Sequence, residues 1–311
     1  MFESIKQTNP GWQFIIGLVD KQDKNTDLSF LCCDVLPVEE LAIEGFDKMV
    51  EQYTIIELLT SVKPFYFEWL FKQYPDVENV VYFDPDIMVF RSLTGLQKSL
   101  ENFDIILTPH FTHPINDTCL PTELHVMQTG IFNLGFLALK RSENTFNMLH
   151  WWQSRLKNNC VIDLSRGLFV DQLWANLIPA YFDKVLIEKK PGYNMAHWNL
   201  HERRLEQRNG EWLVNGEPLV FFHFSHYNPA QPQIIAAHHT RYNFETRPDL
   251  VEIYDLYKQS LLRYHYSELK KVPCFYLNNE AKKKRKREWE TFLRMALPDT
   301  LKGKLKRIVR K

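Results

Sequence analysis

At 311 residues the chain has room for one large α/β domain with a tail, or for two small domains. Apolar residues make up 45% and aromatics 14%, enough to fill a core, which argues against disorder over most of the length. The net charge of zero conceals a split: residues 282–311 hold thirteen Lys or Arg against three acids, a net +10, and the remainder carries −10, so only the tail invites an anionic partner.

Residues 12–20 (WQFIIGLVD) predict a buried strand, and residues 28–35 a second. A long helical pattern over 44–73 is broken at Lys63-Pro64, where the proline starts a new helix. Val80, Val81, Tyr82 and Phe83 then form a continuous apolar run, read as a strand buried on both faces. The strand ends at Asp84-Pro85-Asp86, because Pro85 cannot donate to a sheet ladder. A helix is expected around 93–102, a strand over 104–108, a long loop over 109–128, a strand over 129–139, and helices over 142–157 and 167–177. Arg208-Asn209-Gly210 is a candidate type I′ turn between strands at 204–206 and 212–214, and Asn215-Gly216 turns the chain into a third strand at 218–225. Residues 250–266 predict an amphipathic helix. This alternation argues for a mainly parallel sheet in one domain over residues 1–280, followed by a basic amphipathic helical tail over 281–311.

Asp84 and Asp86 lie at the carboxyl end of their predicted strand, where open α/β sheets place ligands. Two carboxylates there suit Mg²⁺ or Mn²⁺ held together with substrate phosphates. Capping of the following turn is the plainer use of the same pair. Two enzyme classes employ such acids: nucleotide-sugar glycosyltransferases, and phosphatases with an aspartate nucleophile. The phosphatase pair stands near the chain start, ahead of a small Gly-Thr-like pair. Here Ile87-Met88 follows and more than eighty residues precede, which sets that class behind.

Other residues are candidates on chemical grounds. His223 ends an apolar strand, either as a third metal ligand or as a hydrogen-bonded core histidine, with His226 an alternative ligand. Lys63 either reaches a donor phosphate as a point charge or is a solvated lysine at a helix start, where a cation is slightly unfavourable. Asn133 and Gly135 interrupt an apolar strand, as either a ligand-facing bulge or a bulge without function does, and Asp171 with Gln172 opens a helical turn, where an acid is the ordinary helix-start charge. His110, His113 and His125 belong to the long loop; their spacing is poor for zinc, and a loop of that length reads better as an acceptor-contacting flap.

Six segments in order carry a resemblance: residues 57–65 (ELLTSVKPF), 82–87 (YFDPDI), 130–136 (GIFNLGF), 171–174 (DQLW), 191–200 (PGYNMAHWNL) and 221–226 (FFHFSH). Together they resemble the metal-dependent glycosyltransferases of the GT-A fold, particularly bacterial cell-envelope polysaccharide enzymes, with glycogenin and lipopolysaccharide galactosyltransferases as more distant kin. The likeness runs from residue 4 to about residue 277.

The resemblance implies a Rossmann-like α/β mixed sheet with flanking helices and a Leloir-type hexosyltransferase, retaining as the distant kin are. Such an enzyme moves a sugar from a nucleotide diphosphate sugar to a hydroxyl of a glycan or lipid-linked glycan. It implies Mn²⁺ (or Mg²⁺) on Asp84, Asp86 and His223, and Lys63, Asp84, Asn133 and Gly135 on the donor. Asp171 and Gln172 would serve at the reacting carbon, and Asn194, His197 and Asn199 would line the acceptor side, with Tyr193 and Trp198 offering flat faces. Relatives open with a strand and base-binding loop ahead of the helix that residues 2–10 resemble; the expectation is that this first strand is missing. Weak donor binding follows from that, and a catalytically silent nucleotide- or glycan-binding relic is the alternative function.

Cationic and apolar residues alternate at helical spacing in the tail, which fits an anionic membrane surface, whereas the acidic body offers nucleic acid no groove. No apolar run reaches the roughly 18 residues of a membrane span. Five scattered cysteines fit a reducing cytoplasm. The expected location is peripheral, at the inner face of the cytoplasmic membrane.

Overall fold

The computed structural model describes residues 1–21 and 33–277, together with Lys283 and Trp289. Helix α1 (Phe2–Thr8) leads to β1 (Ile15–Leu18), which pairs in parallel with β2 (Asp34–Pro37). β1 is shorter than the expected 12–20 run, and residues 28–32 of the expected 28–35 strand lie outside the described residues, β2 carrying its end on to Pro37. The helical pattern over 44–73 resolves into α2 (Phe46–Gln52), α3 (Ile55–Ser61) and α4 (Lys63–Gln73), with Pro64 in the first turn of α4 as expected. The additional break before α3 has its own signal, Thr54-x-x-Glu57. The Glu57 carboxylate accepts the Thr54 N–H at 2.8 Å in a capping box.

After α4 come β3 (Asn79–Phe83), β4 (Ile87–Val89), α5 (Thr94–Asn102), β5 (Ile105–Leu107), α6 (Glu123–Thr129), β6 (Phe136–Lys140) and α7 (Glu143–Asn159). The expected loop over 109–128 therefore contains all of α6 but its last residue, and the strand predicted from residue 129 begins only at Phe136. Residues 162–163 and 168–169 form the short pair β7 (Ile162–Asp163) and β8 (Leu168–Phe169). Gly167, at φ 64°, turns the chain between them, so the helix predicted over 167–177 starts as a strand and becomes α8 (Gln172–Ala175) only after Val170. Helix α9 (Ile178–Tyr181) and β9 (Val185–Ile187) follow.

The central sheet has the order β3-β6-β5-β9. β6 runs antiparallel to both β3 and β5, and β9 parallel to β5. The sheet is mixed rather than mainly parallel because β6 returns from the 109–135 excursion and inserts between two strands that precede it.

A second sheet is built by β10 (Met195–Ala196) and β14 (Phe221–His223), in the order β10-β14-β4. Between them β11 (Leu205–Arg208), β12 (Glu211–Val214) and β13 (Glu217–Pro218) form an antiparallel meander. Asn209 and Gly210 have φ of 53° and 79°, the two left-handed residues that a type I′ turn demands. The strand expected over 218–225 is divided, β13 closing the meander and β14 crossing to the second sheet. The chain continues through α10 (Val251–Arg263) and α11 (Tyr266–Leu269). Most of the tail lies outside the described residues; the Lys283 ammonium donates to the carbonyls of Val50 and Tyr53.

The largest core packs α3, α4 and α7 on the central sheet, with Phe67, Phe71, Leu137, Leu139, Met148 and Trp152 at its centre. A second core lies under α10, where Phe224 and Tyr257 stack at 4.0 Å. Phe83, Phe136 and Phe221 bridge the two sheets, their rings 5.0 to 5.5 Å apart. The β3 run differs from expectation: all of it is half-buried, and among the described residues it pairs on one edge only, with β6. Among the described residues no helix is long and apolar enough to cross a membrane.

Candidate active site

Two sheets meet at the turn after β3. The Asp84 N–H donates to the Gly135 carbonyl at 2.7 Å, and the chain reverses through Pro85 and Asp86 into β4. β4 pairs antiparallel with β14, Ile87 opposite His223, and the Phe224 N–H reaches the Asp86 carbonyl at 2.9 Å. That register carries an imidazole from far along the chain to the two acids. His223 Nε2 lies 3.0 Å from Asp86 Oδ1 and 4.0 Å from Asp84 Oδ2. One ligand atom from each of the three residues fits within 4.8 Å of the others.

The imidazole is oriented from behind. Asn133 Oδ1 lies 3.2 Å from His223 Nδ1 and also accepts the Gly135 N–H and Asn194 Nδ2, each at 3.2 Å. Donors converging on one oxygen settle which end of the amide faces the ring, so Nδ1 carries hydrogen and Nε2 points at the carboxylates. Burial works against the His223 cation, but the Asp86 and Asp84 charges outweigh it and raise its pKa. Burial likewise opposes the Asp86 carboxylate, yet His223 holds its pKa below the ordinary value. Gly135 is essential to this closeness: a Cβ there would run into His223 Cε1, Asn133 Oδ1 and Asp84 Oδ2. Two hard oxygens and one oriented imidazole nitrogen suit a divalent cation of the Mn²⁺ type. His226, the alternative ligand, lies outside this group and has its ring 5.0 Å from that of His238.

A buried charge cluster adjoins the acids. Lys63, first residue of α4, places Nζ 3.0 Å from Asp171 Oδ2, 2.9 Å from the Leu134 carbonyl and 3.8 Å from Asp84 Oδ1. It also lies 4.7 Å from the Tyr82 ring centre, and the Tyr82 hydroxyl donates to Asp84 Oδ1 at 2.5 Å. Burial disfavours the Lys63 ammonium, but Asp171 first, then Tyr82 and Asp84, raise its pKa above the ordinary lysine value. Burial raises the Asp171 carboxyl, with Lys63 pulling the other way. Lys63 is therefore tied inside the protein rather than extended towards solvent. From the sequence Tyr82 reads as core, yet it stands in β3 two residues before Asp84, a spacing that turns both side chains the same way.

The remaining candidates occupy varied surroundings. Gln172 ties α6 to the entrance of β6: its Nε2 donates to the Thr129 carbonyl at 2.9 Å, and its Oε1 accepts the Leu134 N–H at 3.3 Å. Asn194 is fully buried at φ 55°, donates to Thr108 Oγ1 at 2.8 Å, and keeps Oδ1 without a hydrogen-bond partner among the described residues. Asn199 is buried with both amide ends on backbone: it accepts the Ala196 N–H and donates to the carbonyls of His110 and Asn194. His197 is buried against Trp198 and His239, ring centres 5.1 and 5.6 Å away. The three loop histidines diverge, His110 to the Ile131 carbonyl, His113 to Glu202 and His125 to Thr122.

No family model matches the chain. It is 24% identical over 271 residues to the uncharacterized protein YfnF of Bacillus subtilis (strain 168), covering 84% of this chain and 86% of that one. It is also 24% identical over 174 residues to YfnD of the same organism, covering 55% and 54%. Among solved structures it is similar to a glycosyltransferase involved in the glycosylation of the major capsid of PBCV-1. There the TM-score is 0.38 and the identity 12%, over 70% of this chain and 95% of that one, a likeness too slight to assign fold or function.

Proposed function

We propose that the protein transfers a sugar from a nucleotide diphosphate sugar to a hydroxyl of a glycan or lipid-linked glycan, with a divalent cation, Mn²⁺ or Mg²⁺, as cofactor. The observation that carries this reading is the convergence of Asp84 and Asp86, in the turn that joins the two sheets, with His223 at the end of β14. The order of the six sequence segments supports it. Asp84, Asp86 and His223 Nε2 would hold the cation, which when bound neutralises charge on the leaving diphosphate. Asn133 orients the imidazole, and Gly135 leaves the space in which the three ligands gather. Lys63 adds a fixed positive charge beside Asp84, and Asp171 holds that charge in place. Retention of anomeric configuration and attachment of the 282–311 tail to an anionic membrane belong to the same reading.

That β3 pairs on one edge only among the described residues favours a second reading, a silent nucleotide- or glycan-binding protein. A panel of nucleotide sugars incubated with Mn²⁺ separates the two. The transferase predicts sugar release that stops with chelator and falls about 10–100-fold or more in Asp84→Asn and Asp86→Asn, as loss of groups at a metal centre does. Release unaffected by chelator would sink the metal-dependent proposal. Cation binding without release would favour the silent protein.

A further inference from the structure

Past His223 the chain builds a second concavity. A cavity of about 400 Å³ lies between residues 227–245 and α10, within the size range of small-molecule sites. Three aromatic rings shape it. Tyr227 and Phe244 stand 5.2 and 5.3 Å from Tyr254, inclined to it at 73° and 76°. Tyr254 is 2% exposed, and its hydroxyl is buried without a hydrogen-bond partner among the described residues. A hydroxyl so placed calls for a partner that these residues do not supply.

The rim is polar and uncommitted. The side chains of Gln233, Glu245, Asp255 and Lys258 line the cavity, and none is hydrogen-bonded or ion-paired to another described residue. Asp255 and Lys258 have the i, i+3 spacing on α10 at which opposite charges meet, yet they do not pair. Asn243 commits its Oδ1 to the Thr246 N–H at 2.9 Å, which leaves its Nδ2 free.

These groups decide what chemistry fits. An apolar ligand would cover the rings but strip water from the rim without replacing it. A phosphorylated or acidic ligand would face two carboxylates against one ammonium, on a body that is itself acidic. A neutral sugar answers both demands. Its C–H face lies on aromatic rings, while its hydroxyls donate to carboxylates and accept from amides and an ammonium. We propose that this cavity binds a neutral sugar unit of a glycan, with Gln233, Glu245 and Asp255 on its hydroxyls. The choice of a sugar rests on the glycosyl-transfer reading, which it deepens by giving the acceptor glycan a hold outside the cation site. Backbone hydrogen bonds join the two places: the Tyr227 N–H reaches the Phe224 carbonyl at 3.0 Å, and the Phe224 N–H reaches that of Asp86.

Saturation-transfer NMR in EDTA, with no nucleotide sugar present, tests the proposal separately from glycosyl transfer. The probes are maltotriose, cellotriose and mannotriose, with UDP as the anionic comparison. At least one trisaccharide should bind with a Kd of about 1 mM or tighter. Asp255→Ala, at an exposed position of α10, should weaken that binding about tenfold or more, as loss of a hydrogen bond to a charged group does. Tyr254→Phe, which removes only the hydroxyl, should weaken it about threefold or more. Failure of all three trisaccharides to bind overturns the proposal, and so does binding that both variants leave unchanged. UDP binding abolished by Asp255→Ala would overturn it as well, by placing an anion in the cavity. Trisaccharide binding by a protein that releases no sugar from any nucleotide sugar keeps this proposal and removes the transferase.

Discussion

Lys63 is 7% exposed, and its ammonium lies 3.0 Å from the Asp171 carboxylate, itself 1% exposed. Breaking such a pair from one side leaves a buried charge without its counterion, at about 3–5 kcal/mol. Lys63→Met should therefore lower the urea midpoint sharply, and adding Asp171→Asn should recover most of the loss in a double-mutant cycle. An Asp171→Asn addition without recovery would mean that the ammonium serves Asp84 and the Leu134 carbonyl more than Asp171. Gly135 presents a purely steric case. Gly135→Ala should cost about 1–3 kcal/mol through overpacking and weaken Mn²⁺ binding in calorimetry, because the ligands must part to admit a methyl group. Unchanged Mn²⁺ affinity in a folded Gly135→Ala variant would move the cation away from this cluster.

The same geometry depends on how a few elements are started and paired. The Thr54–Glu57 capping box begins α3 just ahead of α4, and the second Glu57 carboxylate oxygen accepts the Ile162 N–H at 2.8 Å. Thr54→Ala should cost about 1 kcal/mol in urea denaturation, the usual value of an N-cap. A neutral result would show that Glu57 alone suffices to start the helix. In the second sheet, two strands of three residues each, β4 and β14, bring His223 opposite Ile87. A slip of one residue would turn the imidazole to the opposite face, so the proposed site depends on this short register.

Across the whole molecule, histidines set the response to acid. Burial pushes His110 and His239 down to about 4, holds His197 well below its ordinary value and lowers His226, with neighbouring cationic groups adding to the effect. Between pH 6.5 and 4 the unfolded chain takes up protons on these residues that the folded chain refuses. Stability should therefore fall as the pH drops through that window, by about 3 kcal/mol for His110 alone. His223 opposes the trend, since Asp86 raises its pKa despite burial and its contribution is lost as the pH rises. Thermal melts from pH 7.5 to 4.5 should show a steep loss below 6.5; a flat profile would mean that these rings become solvated.

Several features were legible because they are governed locally. Pro85 stops β3 and Pro64 starts α4 through the missing N–H, and Asn209-Gly210 makes a type I′ turn because both residues accept positive φ. The position of Asp84 and Asp86 at a strand end follows from the same rules. Other features depended on pairings between distant segments, which local patterns do not encode. The 167–177 stretch begins as a strand because Ile162–Asp163 lies beside it, and Asn199 turned to backbone once its neighbours enclosed it. The amino-acid sequence alone determined where the acids stand, where the helices break and which turns reverse the chain, because those depend on backbone chemistry within a few residues. Only the tertiary structure decided that His223 meets the acids, that Lys63 is buried on Asp171 and that β6 inserts between β3 and β5, because strand register and burial are properties of the assembled chain.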